Sequence, residues 1–196
     1  GEVPVNNQPV TIQDNLILNQ NSEVSDITIS SGSTLTSQTG QTRTLTIQNG
    51  GTFTNNGTFN ANDGSVSFSG TGTISGTTTF NDVDIAGGVN FGSNSTVNGT
   101  LTVNGGGFAN TNAPIYGANS NLNFATGGSY TIDGATTLWV PGNTLGQGVP
   151  NNIKVTTTSP LNIFGARDVT GNLTIDSGAS VVQGNNDFII QGNFEN

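Results

Sequence analysis

The sequence predicts an all-β fold, a right-handed parallel β-helix with about 15–21 residues per coil, and three observations carry that reading. Apolar residues spaced by two recur along the chain at Ile27/Ile29, Leu45/Ile47, Val66/Phe68, Val83/Ile85, Leu101/Val103, Leu122/Phe124, Leu138/Val140, Ile153/Val155, Leu173/Ile175 and Phe188/Ile190. Successive pairs lie roughly 15 to 21 residues apart, the range in which internal repeats signal a solenoid. Between them recurs a Gly-containing turn followed by a hydroxyl and one apolar residue, as in Gly32-Ser33-Thr34-Leu35, Gly51-Thr52-Phe53, Gly57-Thr58-Phe59 and Gly72-Thr73-Ile74. Finally, no window places apolar residues at i, i+3, i+4 and i+7, and Gly, Asn, Thr and Ser all make poor helix interiors.

The elements follow in order from that pattern. Residues 1–23 carry Pro4, Pro9 and the strand-like Leu16-Ile17-Leu18, and read as an entering coil or a cap over the open end. Residues 24–196 read as the β-helix, roughly eight to ten coils, each of two or three short strands joined by corners where Gly and Asn accept positive φ. Along each strand side chains alternate, so Leu45 and Ile47 point into a narrow core while Thr44 and Thr46 point out. Stacked coils pair strand to strand about 4.8 Å apart, and parallel crossovers favour right-handed winding. Regularity decays over about 109–166, which holds four prolines and the only Trp. There Pro141 to Asn152 reads as a projecting loop, and regular coils resume at Val169. The start at Gly1-Glu2-Val3-Pro4, without Met or signal segment, and the repeat-like end at Gly192-Asn193-Phe194 suggest a piece of a longer chain.

Composition removes whole classes of function. Of 196 residues 29 are Gly and 8% are charged, and Gly, Asn, Thr and Ser together make up roughly half the chain, far from ordinary usage. The absence of Cys and His excludes thiolate and imidazole metal sites, a Cys nucleophile, a Ser-His-Asp triad and disulfides. Arg43, Lys154 and Arg167 stand against twelve acidic residues, and a net charge of -9 repels nucleic acid and anionic membranes. No run reaches the roughly 20 apolar residues of a membrane helix. Abundant Val, Ile, Thr and Phe nonetheless argue for a folded chain.

The phrases Thr170-Gly171-Asn172-Leu173-Thr174-Ile175-Asp176-Ser177-Gly178-Ala179 and Gly50-Gly51-Thr52-Phe53-Thr54-Asn55-Asn56-Gly57-Thr58-Phe59 resemble the repeat units of large β-helical bacterial cell-surface adhesins, exported by autotransporter, two-partner or type IX secretion. The resemblance covers most of residues 24–196 and is one of repeat style. It implies a secreted, cell-surface location and an adhesive stalk that meets glycans, surfaces, other cell-surface proteins and, during export, secretion machinery. It designates no catalytic residue, and no cofactor is expected.

Each local constellation carries a plainer reading beside the functional one. Asp82 and Asp84 flank Val83 and face outward together about 7 Å apart, a spacing used by inverting glycosidases and a weak candidate for calcium. A solvated strand face explains them as well, and Asp63 and Asp133 precede Gly in ordinary Asp-Gly turns. Thr-x-Thr pairs at Thr34/Thr36, Thr44/Thr46, Thr52/Thr54, Thr100/Thr102 and Thr156/Thr158 suggest a hydroxyl ladder, but Ser65/Ser67 and Asp82/Asp84 interrupt it, and Thr is a preferred exposed strand residue. Asn56, Asn94, Asn98 and Asn172 begin N-glycosylation patterns that such a composition produces by chance. Trp139, Tyr116 and Tyr130 are weak candidates for glycan contact, with core or loop-anchoring packing the competing reading. The expected function is therefore a structural and adhesive stalk. Its alternatives are a polysaccharide hydrolase or lyase of the same fold and an extracellular filament subunit.

Overall fold

A computed structural model describes residues 7–133 and 137–196. Part of the predicted N-terminal segment, with Pro4, and Gly134 of the second Asp-Gly turn lie outside these residues. Every pairing between strands of the ladders is parallel, and the described chain contains no helix.

The strands wind around three faces. One face is a single sheet of nine strands that takes one strand from each coil: Ser22–Val24, Thr44–Ile47, Ser65–Phe68, Asp82–Ile85, Thr100–Val103, Asn121–Phe124, Asn152–Val155, Leu173–Ile175 and Phe194–Glu195. A second face starts with six strands, from Val10–Ile12 to Phe108–Ala109, and its place in the coil is then taken by a separate ladder of Tyr130–Ile132, Pro160–Ile163 and Ser180–Gln183. The third face is broken twice, after Thr58–Asn60 and after Ile115–Tyr116. Only the nine-stranded face runs the length of the molecule. Residues 10–24 supply three strands and form the first coil, paired through Val10 with Ile27, Asn15 with Thr34 and Glu23 with Thr46.

Register explains the core. On the long face Leu45 lies beside Val66, Val66 beside Val83, Val83 beside Leu101, Leu101 beside Leu122 and Leu122 beside Ile153, so one inward position is apolar in every one of these coils. All of these residues are buried, as are the parallel partners Ile47, Phe68, Ile85, Val103, Phe124 and Val155. A one-residue slip would turn the whole set to solvent, which fixes the pairing. Phe53, Phe59 and Phe80 add a three-ring cluster with centroids 5.2 to 5.8 Å apart where the third face first breaks.

The coil length is more variable than 15–21. Val10 faces Ile27 after 17 residues, but Ile27 faces Phe53 after 26, and Asn121 faces Asn152 after 31. Two of the apolar pairs used to set the period belong to other faces, Ile27/Ile29 to the second and Phe188/Ile190 to the third. The pair Leu138/Val140 is no strand at all. Leu138 and Trp139 are both buried, which breaks the alternation a strand imposes, so counting this pair as a coil split one 31-residue coil into two.

Corners divide their work differently from the sequence reading. Among the described residues ten glycines adopt positive φ, but Asn does so only at Asn7 and Asn62. Gly76 shows why a side chain is excluded at some corners: φ is +83° and a Cβ would lie 2.0 Å from the Asn55 carbonyl oxygen. Asn and Asp instead bond between coils. The Asn21 Oδ1 accepts the Thr44 N–H at 3.0 Å, the Asn49 Oδ1 the Thr71 N–H at 2.8 Å, and the Asn152 Oδ1 the Asn172 N–H at 2.9 Å. Asn172 repeats the contact toward the Asn193 N–H at 2.8 Å. Side-chain oxygens thus satisfy corner N–H groups that the ladders miss.

Candidate functional site

The irregular region holds Trp139, Tyr116 and Tyr130, and the outer surface of the long face holds Asp82 and Asp84. Pro141 to Asn152 does not project freely. Its backbone turns back onto Ile115–Tyr116, the last strand before the second break: Gly146 C=O accepts the Tyr116 N–H at 3.0 Å and Pro114 C=O accepts the Gly148 N–H at 2.9 Å. Antiparallel bridges join Ile115 to Gln147 and Gly146 to Val149. An uncovered strand edge exposes a row of N–H and C=O groups, and this loop covers part of that edge.

Trp139, Tyr116 and Tyr130 anchor this seam. Trp139 is 0% exposed, with Nε1–H donated to the Asp168 carbonyl at 2.9 Å and its ring 5.9 Å from Phe188 and 6.5 Å from Phe124. Tyr116 is 2% exposed and donates its hydroxyl to the Leu138 carbonyl at 2.8 Å. Tyr130 packs 5.4 Å from Phe124 and is partly buried. Burial raises the Tyr116 phenol well above its ordinary value, and burial, followed by the charge of Asp133, pushes Tyr130 up to about 12. Of the two readings of these aromatics, packing is the one their burial matches, because Trp139 and Tyr116 present no open ring face.

Arg167 escaped the sequence reading. It begins the strand Arg167–Val169 in the inward register of Val169, is 1% exposed, and donates to the carbonyls of Ala166, at 2.7 Å, and Asp133. Burial lowers its pKa, partly offset by the charge of Asp133. The Arg-x-Val spacing is its only sequence signal, and a charged residue in an inward position is easily read as a strand end.

On the long face the outward side chains form one column in register: Glu23, Thr46, Ser67, Asp84, Thr102, Asn123, Lys154, Thr174 and Glu195. Five of the nine carry a hydroxyl or amide and four are charged, and Lys154 pairs with Asp176 at 3.2 Å with both side chains well exposed, a contact of small energetic weight. Asp82 and Asp84 do face outward together, each already engaged. The Asp82 Oδ1 accepts the Thr100 N–H at 2.6 Å and its Oδ2 accepts from the Asn81 amide at 3.1 Å, while the Asp84 Oδ2 accepts the Ser65 hydroxyl at 3.0 Å. Asp82 thus plays the corner role that Asn plays elsewhere. Among the described residues no three His, Cys, Asp or Glu side chains gather as a metal site. On the second face Thr11, Thr28, Thr54 and Ser75 stand in register, with Ser75 Oγ donating to Thr54 Oγ1 at 3.2 Å.

The fold and its repeats define a repeat-built parallel β-solenoid of nine coils. Comparison with protein-family models, with curated proteins and with solved structures gives no match to this chain.

Proposed function

We propose that this chain is a structural and adhesive stalk segment of a secreted bacterial cell-surface protein, holding an inert polar surface at a distance and meeting glycans or other surfaces along its faces. The observation that carries the reading is the unbroken nine-stranded face, whose outward column is polar throughout. Parallel ladders bonded coil to coil resist bending, and nine coils at about 4.8 Å make a rod of roughly 40 Å. The hydroxyls and amides of this pleated surface, Thr46, Ser67, Thr102, Asn123 and Thr174, match the donors and acceptors of sugars. The outward carboxylates Glu23, Asp84 and Glu195 in that column are coils apart, and in the pair that faces outward together, Asp82 and Asp84, both carboxylates already accept hydrogen bonds, from Thr100 and Asn81 and from Ser65.

Immobilised chain is presented with a panel of neutral and acidic glycans and with whole bacterial and epithelial cells, and the same panel is assayed for new reducing ends and unsaturated products. Saturable binding without product formation supports the proposal. Product formation would establish the polysaccharide-cleaving alternative, and rods many chains long by electron microscopy would establish the filament alternative.

A further inference from the structure

Four Asn-Gly dipeptides occur in the chain, at Asn49-Gly50, Asn56-Gly57, Asn98-Gly99 and Asn104-Gly105. Asn followed by Gly is the dipeptide most prone to spontaneous loss of the side-chain amide, because the following backbone nitrogen has no Cβ beside it to hinder attack on the Asn side-chain carbonyl. All four are equivalent at this level. The fold makes them different.

Three of the four glycine nitrogens are held. Gly50 N–H is donated to the Thr71 carbonyl at 2.8 Å, Gly99 N–H to the Asn81 carbonyl at 2.9 Å, and Gly57 N–H to the Asn55 Oδ1 at 3.2 Å. At Asn49 the carbonyl under attack is occupied as well, since its Oδ1 accepts both the N–H and the hydroxyl of Thr71. Gly105 N–H has no hydrogen-bond partner among the described residues, and the Asn104 side chain has none either. The reason lies in the corner. Asn104 to Gly107 form a turn closed by Gly107 N–H on the Asn104 carbonyl at 2.9 Å, with Gly106 at φ +86°, which leaves Gly105 exposed at the turn's first inner position, where the N–H points away from the closing bond.

We infer that Asn104 is the site at which this solenoid undergoes spontaneous deamidation through a cyclic imide, and that the other three Asn-Gly pairs are protected by their inter-coil and local bonds. The step is balanced without any redox partner. Gly105 nitrogen gives up its proton to solvent base and attacks Cγ of Asn104; the new C–N bond closes a five-membered imide, the Cγ–Nδ2 bond breaks, and Nδ2 leaves as ammonia with a proton from water. Water then opens the ring at either carbonyl, giving aspartate or, with the backbone routed through the side chain, isoaspartate. One negative charge is added at a corner of the fifth coil, where the Asn104 N–H is bonded to the Ile85 carbonyl at 2.9 Å.

The test compares the four sites within one chain. Folded protein is aged at mildly alkaline pH, sampled over weeks, and mapped by peptide mass spectrometry with enzymatic methylation of isoaspartyl carboxylates as the second readout. The same series runs in guanidinium, where only the local sequence acts. In the folded chain Asn104 is expected to react about tenfold or more faster than each of the other three, the factor set by breaking a backbone hydrogen bond before attack. In guanidinium the four rates are expected to converge. A native rate at Asn49, Asn56 or Asn98 equal to that at Asn104 overturns the inference. So does the same ranking in both series, which would assign the difference to sequence and not to the corner bonds. An Asn104→Ser chain is expected to lose the fast native event and keep the slow ones.

Discussion

Replacing Trp139 by Ala tests whether the seam between the sixth and seventh coils is held by one side chain. The indole is fully buried, touches Phe124 and Phe188, and donates to the Asp168 carbonyl, so it joins the sixth coil to the eighth and ninth across the place where two of the three faces lose their ladders. Truncating a buried Trp costs about 3–5 kcal/mol through lost contacts and the remaining cavity, and the unmet Asp168 carbonyl adds about 1 kcal/mol. Total stabilities are commonly about 5–15 kcal/mol, so the loss is a large share of the whole. In a coil-by-coil fold it should also be local: coils seven to nine lose coupling to coils one to six, and the single transition divides in two. Urea unfolding followed by far-ultraviolet circular dichroism reads both effects, the fall in midpoint and the new plateau. Trp139→Phe, which keeps a ring but loses the N–H donor, is expected to fall between wild type and Trp139→Ala. One unbroken transition in Trp139→Ala with a loss below about 1 kcal/mol would refute the seam argument, since that is the range of a surface change.

Other consequences are as direct. Both tyrosines of the chain have raised phenol pKa values, Tyr130 to about 12, so stability from keeping them neutral is complete below the ordinary value near 10 and is lost as pH rises above it. An alkaline absorbance titration should show no phenolate at the ordinary value until the chain unfolds; a normal titration of either Tyr would contradict their burial. Asp26 is held below its usual value, first by the Thr52 N–H on its carboxylate, so its contribution is present above pH about 4 and fades as pH falls through its lowered pKa. Asp26→Asn keeps the acceptor and should reduce the acid dependence of the thermal midpoint, whereas an unchanged dependence would remove Asp26 from the account. At Asp82, substitution by Asn should be close to neutral and by Ala should lose about 1 kcal/mol by denaturant titration, and equal losses would show that charge, not capping of Thr100, matters there. Gly76→Ala should lose about 2 kcal/mol or more, because a Cβ meets the Asn55 carbonyl and positive φ is disfavoured; an unchanged midpoint would show that this corner can move.

The long face was legible because its inward pairs obey period two and sit in matching registers, so Leu45 through Ile175 could be read as one column. The coil length was less so. Period in a solenoid is set by corner and loop lengths, which carry no hydropathy signal, and the buried Leu138-Trp139 step mimicked a strand within the longest coil. At the candidate site, Trp139 and Tyr116 were marked by their rarity and by the irregular composition around them, but whether such rings face solvent or core depends on where the loop docks. Docking onto Ile115–Tyr116 is made by backbone groups, which every sequence has. Arg167 was missed for the same reason in reverse: its burial depends on the carbonyls of Asp133 and Ala166, which no side-chain pattern announces.

Among the described residues, six of the seven inter-coil bonds from a backbone N–H to an Asn or Asp side-chain oxygen share one direction, and the Gly40 N–H on Asp63 Oδ2 runs the other way. In the contacts of Asn21, Asp26, Asn49, Asp82, Asn152 and Asn172 the oxygen belongs to the earlier part of the chain and the N–H to the coil that follows. A solenoid extended from its N-terminal side therefore presents waiting acceptors at its advancing rim, whereas one extended from the C-terminal side would present bare N–H donors. Open carbonyl-type oxygens are tolerated in proteins better than orphaned N–H groups. At the junctions these six bonds serve, the earlier coil carries the acceptor and the later coil the donor, so the earlier coil is the template for the next.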